Sequence, residues 1–502
     1  MPVASINGKE VTVPRGTPII RAAAQLGINI PHFCYHPALS APANCRMCLV
    51  EVSTARKLEP ACYLKVEEGM QITTDSPKVI AARKAVLEFI LINHPVDCPI
   101  CDQAGECKLQ DYYMAYDAEP SRLTTAKVAK AKAYPIGPEV IYDGERCILC
   151  TRCVRFCDQI TGTSELSVIE RGDRSEIRTF PGKSLDNPYS MNVTDLCPVG
   201  ALTTRDFRFK CRVWLLSSTP SVCDGCAKGC NTHLEHHQGV VQRYRPRFNP
   251  EVNEYWMCDK GRLSYKTLHE YRLTTIRVGE ERELTWPRAL RTVAQALEGA
   301  APESTLLVAS ALLSTESLVA ARLYNDEVLH AGEVFWTGRA DGEADNFLRL
   351  ADQNPNRAGV ALAFGEDVLA NDAEALLQRL ERGDVKNIIL LDGQTPFKDE
   401  ANARLRDALQ SVERVVLISA HQRGLAANAW ATLPAATLAE HEGTFINEDG
   451  FLQSFEKALP SAHGALPAWE IFVRLARAAG RELSSSSFEA LQQRTEASAA
   501  AE

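Results

Sequence analysis

Residues 94–107 read HPVDCPICDQAGEC, and the rest of the chain is read outward from them. The spacing H-x3-C-x2-C-x5-C falls on His94, Cys98, Cys101 and Cys107. Three thiolates and one imidazole can hold a [4Fe–4S] cluster. A neutral imidazole in place of a thiolate makes the site less negative and should raise its potential, as His ligation does in Rieske centres. By spacing alone, a zinc site with three cysteines and one histidine is the rival. The preceding segment 79–92, VIAARKAVLEFILI, reads as an amphipathic helix with Val79, Val86, Phe89 and Ile90 on its apolar side.

The other cysteines group in the same manner. Of the 17 in the chain of 502 residues, fifteen fall with His94 into four sets, and none follows Cys258. Upstream, Cys34, Cys45, Cys48 and Cys62 are spaced C-x10-C-x2-C-x13-C. Four thiolates on a long loop suit a [2Fe–2S] cluster, in a variant of the plant-type C-x4-C-x2-C spacing. The approach to that loop predicts a strand at Val3–Ile6, a turn at Asn7-Gly8, a strand at Val11–Val13 and a helix from near Thr17. That start suits a ferredoxin-like β-grasp fold.

Downstream, RCILCTRCVRFC places Cys147, Cys150, Cys153 and Cys157 in the C-x2-C-x2-C-x3-C run of bacterial ferredoxins, and DLCPVGAL adds a distant Cys197-Pro198. In two-cluster ferredoxins the fourth cysteine of each run serves the other cluster. With one run here, the economical set is Cys147, Cys150, Cys153 and Cys197, leaving Cys157 spare; the alternative exchanges the last two. The fourth set, Cys223, Cys226, Cys230 and Cys258, lies in CDGCAKGC and WMCDKGR, and zinc is again the rival. Cys211 fits no set and reads as a packed thiol.

The order of these motifs resembles the large iron–sulfur subunit (G type) of bacterial respiratory complex I, NADH:quinone oxidoreductase. The likeness is specific over 1–262 and weak over 276–502. It favours Cys197 over Cys157 as the fourth ligand. The fourth set resembles the [4Fe–4S] domain that opens molybdopterin oxidoreductases. The resemblance implies one [2Fe–2S] and three [4Fe–4S] clusters, and a chain that passes single electrons without substrate chemistry of its own. It implies that electrons pass through the His94 cluster and then the Cys147 cluster, with the [2Fe–2S] cluster beside that route and the Cys223 cluster off it. The implied partners are an NADH-oxidising FMN flavoprotein subunit, a ferredoxin-like two-cluster subunit and the quinone-site subunits of a proton-translocating complex. The implied place is peripheral, on the cytoplasmic face of the inner membrane. An electron-transfer subunit of a soluble NAD-linked hydrogenase or formate dehydrogenase is the alternative. The single ferredoxin run and the absence of adjacent cysteines weigh against it.

The fold class follows as multidomain α+β and α/β. The expected divisions are a [2Fe–2S] ferredoxin-like domain at 1–78, a [4Fe–4S] domain with one histidine and three cysteine ligands at 79–135 and a ferredoxin-like [4Fe–4S] domain at 136–218. A molybdopterin-oxidoreductase-type [4Fe–4S] domain at 219–275 and a truncated, non-catalytic molybdopterin-oxidoreductase-like α/β domain at 276–502 follow. Candidate buried parallel strands in the last are Thr305–Ala309, Val360–Ala363, Asn387–Leu391 and Val415–Ser419, with helices at Pro287–Leu297 and Ala373–Leu380 between them. The stretch 439–453, AEHEGTFINEDGFLQ, resembles a segment near the end of the molybdopterin-like domain of the same family. No molybdenum cofactor is expected, because no cysteine follows Cys258 to supply a thiolate. Gly182-Lys183-Ser184 lacks the upstream glycine of a P-loop and reads as a surface turn. The tail SSSSFEALQQRTEASAAAE reads as polar and disordered at its end.

Bulk properties agree with this picture. A net charge of −9 argues against nucleic-acid binding. No apolar run approaches the roughly 20 residues that cross a bilayer, so no direct membrane insertion is expected. The start has no apolar segment of a secretory signal. A reducing compartment then favours metal over disulfides for CxxC clusters. Two basic runs, Arg205, Arg208, Lys210, Arg212 and Arg243, Arg245, Arg247, are either a solvated, salt-bridged face or cations that raise cluster potentials.

Overall fold

A computed structural model describes residues 1–117, 119–392, 400–422 and 425–500. It divides into two compact units, Met1–Leu216 and Ser217–Glu502.

The first unit opens on a five-stranded mixed sheet. Its strands run in the order Lys9–Thr12, Val3–Ile6, Gln71–Thr73, Leu49–Val52 and Glu59–Pro60. The hairpin turns at Asn7 and Gly8, both at positive φ, which matches the right-handed twist of the strands it joins. Its second strand lies at Lys9–Thr12, two residues before the predicted start. The helix Ile19–Gln25 buries Ile19, Ile20, Ala22 and Ala23 in one core with Ile6, Val50 and Ile72. This β-grasp layer leaves its long loops free to carry Cys34, Cys45, Cys48 and Cys62.

The helix Pro77–Leu91 begins at Ser76, whose Oγ accepts from Val79 N at 3.3 Å. Its buried stripe is Val79, Arg83 and Leu87, at spacing i, i+4, i+8. The predicted apolar side is thereby corrected, since Phe89 is 74% exposed. Arg83 fills the inner face with its aliphatic stem and stacks its guanidinium over Tyr116 at 5.3 Å. Beyond it, a three-stranded sheet (Leu202–Thr204, Val140–Tyr142, Tyr134–Pro135) is accompanied by the helices Arg152–Gln159 and Asn192–Leu196. Gly182-Lys183-Ser184 is a turn, with Lys183 N on Phe180 O at 2.9 Å.

The second unit begins with an antiparallel sheet of Ser217–Val222, Asn231–His237 and Val240–Pro246. Its larger sheet has seven strands, in the order Glu281–Arg282, Arg277–Val278, Ala431–Pro434, Arg414–Ser419, Asn387–Asp392, Thr305–Ser310 and Glu333–Thr337. The last five are parallel. Leu307, Ile389 and Val416 join one core with the helices Trp286–Leu297, Thr315–Tyr324 and Ala468–Ala478. Leu306, Ile388 and Val415 join another with the helix Ala373–Leu380. Strands covered on both faces read as continuous apolar runs, which is why three of the four were found from sequence.

The fourth, Val360–Ala363, is corrected to part of the helix Arg357–Phe364. Its three alanines favour a helix, and Gly365 at φ 91° ends it. The strand beside Thr305–Ser310 at the edge of the sheet is Glu333–Thr337, which sequence reading did not find. Within the tail, Phe488–Ala499 is a helix capped by Ser487, with Leu491 and Thr495 buried. The disorder expected at its end falls on 501 and 502, which lie outside the described residues. Among the described residues, no helix is long and apolar enough to cross a membrane.

Glu440 is a buried carboxylate of this unit. It accepts from Arg272 Nη1 at 3.0 Å and Nη2 at 2.7 Å, from Thr437 N at 2.8 Å and from Ala462 N at 2.9 Å. Burial alone would raise its pKa, but Arg272 and these N–H groups together hold it below the ordinary carboxylate range. A depressed carboxyl contributes stability that is present above its unfolded pKa of about 4.3 and lost as pH falls through the folded value. Glu440→Gln should therefore cost about 3–5 kcal/mol at pH 7, since it leaves Arg272 buried and unpaired. In urea titrations, the gap between native protein and variant should close as the pH drops below about 4. A gap that stays constant with pH would remove the ion pair from the account.

Candidate metal centres

In the first group, Cys34, Cys48 and Cys62 are buried and Cys45 is half-buried. The sulfurs are close enough to share protons. Hydrogen bonds from the Cys45 and Cys62 thiols pull Cys34 down, and the same contacts push Cys45 and Cys62 up. Ala43 and Arg46 sit at positive φ, and the amides of Asn44, Cys45 and Met47 turn toward the sulfurs. A loop of inward N–H groups around clustered thiols is an anion-stabilising cradle.

In the second group, the His94 ring is mostly buried and burial lowers its pKa to about 4, so it stays a neutral imidazole. Its Nδ1 is buried with no hydrogen-bond partner. An orphaned buried ring nitrogen is costly unless it ligates something. Cys98, Cys101 and Cys107 lie within electrostatic reach of one another, and burial pushes Cys107 up to about 11. Arg212, from the first basic run, donates to Cys101 O at 2.7 Å and Pro99 O at 2.6 Å. It is the member of that run that bonds the loop of the second cysteine group. Lys210 pairs with Asp206 at 3.2 Å, while Arg243 and Arg245 share Glu235 at 2.5 and 3.8 Å.

In the third group, Cys147, Cys150, Cys153 and Cys197 line one cavity with Tyr142 and Val199. Cys157 does not line it, although it is fully buried on the helix that carries Cys153. Leu149 and Thr151 at positive φ wind the loop, and Leu149 N faces Cys147 Sγ at 3.4 Å. Tyr142 donates its hydroxyl to the same sulfur. Burial pushes Cys150 up to about 11 and Cys197 to about 12.

In the fourth group, Cys223, Cys226, Cys230 and Cys258 line a cavity with Lys260, Arg349 and Gln353. Gly261 leaves room for it, since a Cβ there would stand 2.9 Å from Cys223 Sγ. Residues far along the chain brace the ligand loop. Gln453 Nε2 donates to Gly229 O at 2.9 Å, Asn447 Nδ2 to Lys228 O at 3.2 Å, and Glu448 N to Ala227 O at 2.9 Å. Arg339 bonds the carbonyl and carboxylate of Asp224. Sequence reading flagged 439–453 without a role, and it missed Arg339 and Gln353.

Single residues join the third group to both others in its unit. Arg155 Nη2 donates to Cys34 O at 2.6 Å and to Cys150 O at 3.2 Å. On the other side, Arg146 pairs with Asp97 at 2.7 Å, and Lys108 N reaches Pro198 O at 3.2 Å. A Cβ on Gly200 would overlap Cys101 Sγ. The first group therefore adjoins the Cys147 group directly, and the Cys147 group is the middle member of the three.

All 17 cysteines are free thiols. Clustered buried thiols and an orphaned buried imidazole nitrogen fit soft-metal ligation, and donor sets of this kind suit iron–sulfur clusters. Among the described residues, no three His, Cys, Asp or Glu donors close on a single-ion site.

Comparison with known proteins follows the same order. Residues 4–77 match the 2Fe-2S iron-sulfur cluster binding domain, and 83–122 the NADH-ubiquinone oxidoreductase-G iron-sulfur binding region. Residues 137–203 match the NADH-quinone oxidoreductase subunit 3 ferredoxin-like domain, and 216–266 the NDSU1/NuoG-like 4Fe-4S domain. Residues 340–478 match molybdopterin oxidoreductase. Similar curated proteins include the NADH-quinone oxidoreductase G subunit of Streptomyces coelicolor, 44% identical over 58% of this chain and 36% of that one. The G subunit of Rickettsia felis is 41% identical over 62% of this chain and 47% of its own. The mitochondrial NADH dehydrogenase [ubiquinone] iron-sulfur protein 1 of Solanum tuberosum is 40% identical over 63% and 43%. The match thus spans less than half the length of these relatives. A solved NAD+-reducing [NiFe]-hydrogenase chain is 26% identical, covering 42% of this chain and 90% of its own, with a TM-score of 0.38.

Proposed function

We infer that this chain, which is homologous through its iron–sulfur half to the G subunits of NADH-quinone oxidoreductases, is an electron-transfer subunit of such a complex. The observation that carries the reading is the joining of three cysteine groups, with the Cys147 group in the middle. We assign a [2Fe–2S] cluster to Cys34, Cys45, Cys48 and Cys62. The [4Fe–4S] clusters go to His94 with Cys98, Cys101 and Cys107, to Cys147, Cys150, Cys153 and Cys197, and to Cys223, Cys226, Cys230 and Cys258. When bound, such clusters supply one-electron transfer.

The protein's own part is to bury the thiols, orient their loops and set the local charge. His94 ligates as neutral imidazole, which its lowered pKa supports. Arg146 and Arg212 hold the loop around Cys98 and Cys101 in place. The five divisions 1–78, 79–135, 136–218, 219–275 and 276–502 are the functional segments we propose, the last as a non-catalytic brace. Partners are the FMN-bearing NADH-oxidising subunit, a two-cluster ferredoxin-like subunit and the quinone-site subunits. The chain would sit peripherally on the cytoplasmic face of the inner membrane.

Iron analysis with low-temperature EPR on the anaerobically purified, reduced chain tests this. About 14 irons per chain, with one [2Fe–2S] signal among [4Fe–4S] signals, is the expected result. Little iron and several zincs would sink the electron-transfer reading.

A further inference from the structure

We propose that Arg152 and Arg155 form one buried cationic bridge that sets the reduction potentials at the Cys34 and Cys147 groups together, an inference that rests on reading both groups as cluster sites. The two arginines interleave the ligands in CTRCVRFC, one helical turn apart, and are only 4% and 8% exposed. Side chains so placed on a solvated face would carry carboxylate partners. Here the acceptors are neutral: main-chain carbonyls and, for Arg155 Nε, the Thr151 hydroxyl at 3.4 Å. Arg152 Nη1 donates to Leu196 O at 3.1 Å and its Nη2 to Tyr35 O. Arg155 Nη1 donates to Ser40 O at 2.5 Å, and its Nη2 is shared between Cys34 O and Cys150 O.

These neutral acceptors leave Arg152 Nε buried without a partner, and they do not neutralise the charge. Two like cations buried this close are strongly unfavourable without an opposite charge nearby. The negative groups that face them most strongly are all cysteine sulfurs. Cys150, Cys197, Cys34 and Cys45 face Arg152; Cys150, Cys34 and Cys153 face Arg155. These sulfurs belong to both groups at once. Thiolates bound in clusters would supply that counter-charge at both groups.

Reduction adds a negative charge to a site, and a fixed cation beside it favours the reduced form. Because one nitrogen of Arg155 touches a ligand carbonyl of each group, its loss should register at both. A lysine keeps the charge but offers no fork to span the two carbonyls.

The test is an EPR-monitored redox titration of the whole cluster-loaded chain, native and with Arg155→Gln or Arg155→Lys. In Arg155→Gln the midpoint potentials at the Cys34 and Cys147 sites should fall together. Those at the His94 and Cys223 sites should hold. Arg155→Lys should give a smaller fall at the same two sites. Unmoved potentials, or a shift at only one of the two, overturn the bridge. If Arg155→Gln loses iron, Arg155→Lys decides by the same criterion. A native chain without iron signals would sink the cluster reading itself, whereas native signals with unmoved potentials in the variants sink only this inference.

Discussion

Cys197→Ala should abolish one [4Fe–4S] signal and take the iron content from about 14 to about 10 per chain, while Cys157→Ala should leave every signal in place. The two cysteines compete on paper for one ligand position, and their surroundings differ. Cys197 lines the same cavity as Cys147, Cys150 and Cys153. It stands at the end of the helix Asn192–Leu196, where the chain leaves the helix and turns its sulfur inward. Cys157 is equally hidden but lines no part of that cavity. Burial and the nearby carboxylates Glu165 and Asp158 push its thiol up to about 12. Burial pushes Cys197 up to about 12 as well, so the cavity and not the thiol pKa separates the two. Replacing Cys157 by alanine deletes one buried sulfur, a packing loss of about 1 kcal/mol or a little more. Intact spectra in Cys197→Ala with a lost signal in Cys157→Ala would reverse the assignment.

Gly200→Ala should strip the cluster from the His94 group while the fold of residues 1–216 persists. The glycine is required for space: the added methyl would overlap Cys101 Sγ and stand 3.1 Å from Gln103 Cβ. A free cysteine could rotate aside, but one bound to iron has its direction fixed. The clash therefore falls on the loaded state and spares the empty chain. The expected readout is about 10 irons per chain, loss of the signal assigned to the His94 site, and a far-ultraviolet spectrum like that of the native protein. Retention of all four signals would show that the Cys197–Gly200 loop can retreat, and that the second and third groups are less tightly keyed than the close approach implies.

The ligand sets were legible because cluster chemistry restricts residue type and spacing within short loops. The CPIC, ILCTRC and CDGC stretches carry that restriction in the chain itself. What joins the groups was not legible. Arg152 and Arg155 look like any basic residues in a helix, and Arg155 reaches Cys34 O across a separation of 121 residues. A possible signal was their placement between ligands, where a solvent-facing cation is out of place.

The α/β half was legible where strands are covered on both faces. It failed at 360–363, because a short apolar run is compatible with either a strand or a helix. Arg83 was missed because an apolar count cannot credit the stem of an arginine. The helix Phe488–Ala499 was missed for a related reason: the low complexity of the tail hid the two positions, Leu491 and Thr495, that face the core.

The fourth group has its sulfurs at 223–258, but the residues that brace its loop, Asn447 and Gln453, come far later in the chain. During translation at about 5–20 residues per second, all four cysteines leave the ribosome roughly ten to forty seconds before the bracing segment does. For that interval the loop at 227–229 stands without its brace. Once the hairpin of Gly443–Ile446 and Leu452–Phe455 docks, Asn447 and Gln453 hold it. If the group takes a cluster as proposed, the order of residues along the messenger puts its ligands out ahead of the segment that fixes their loop.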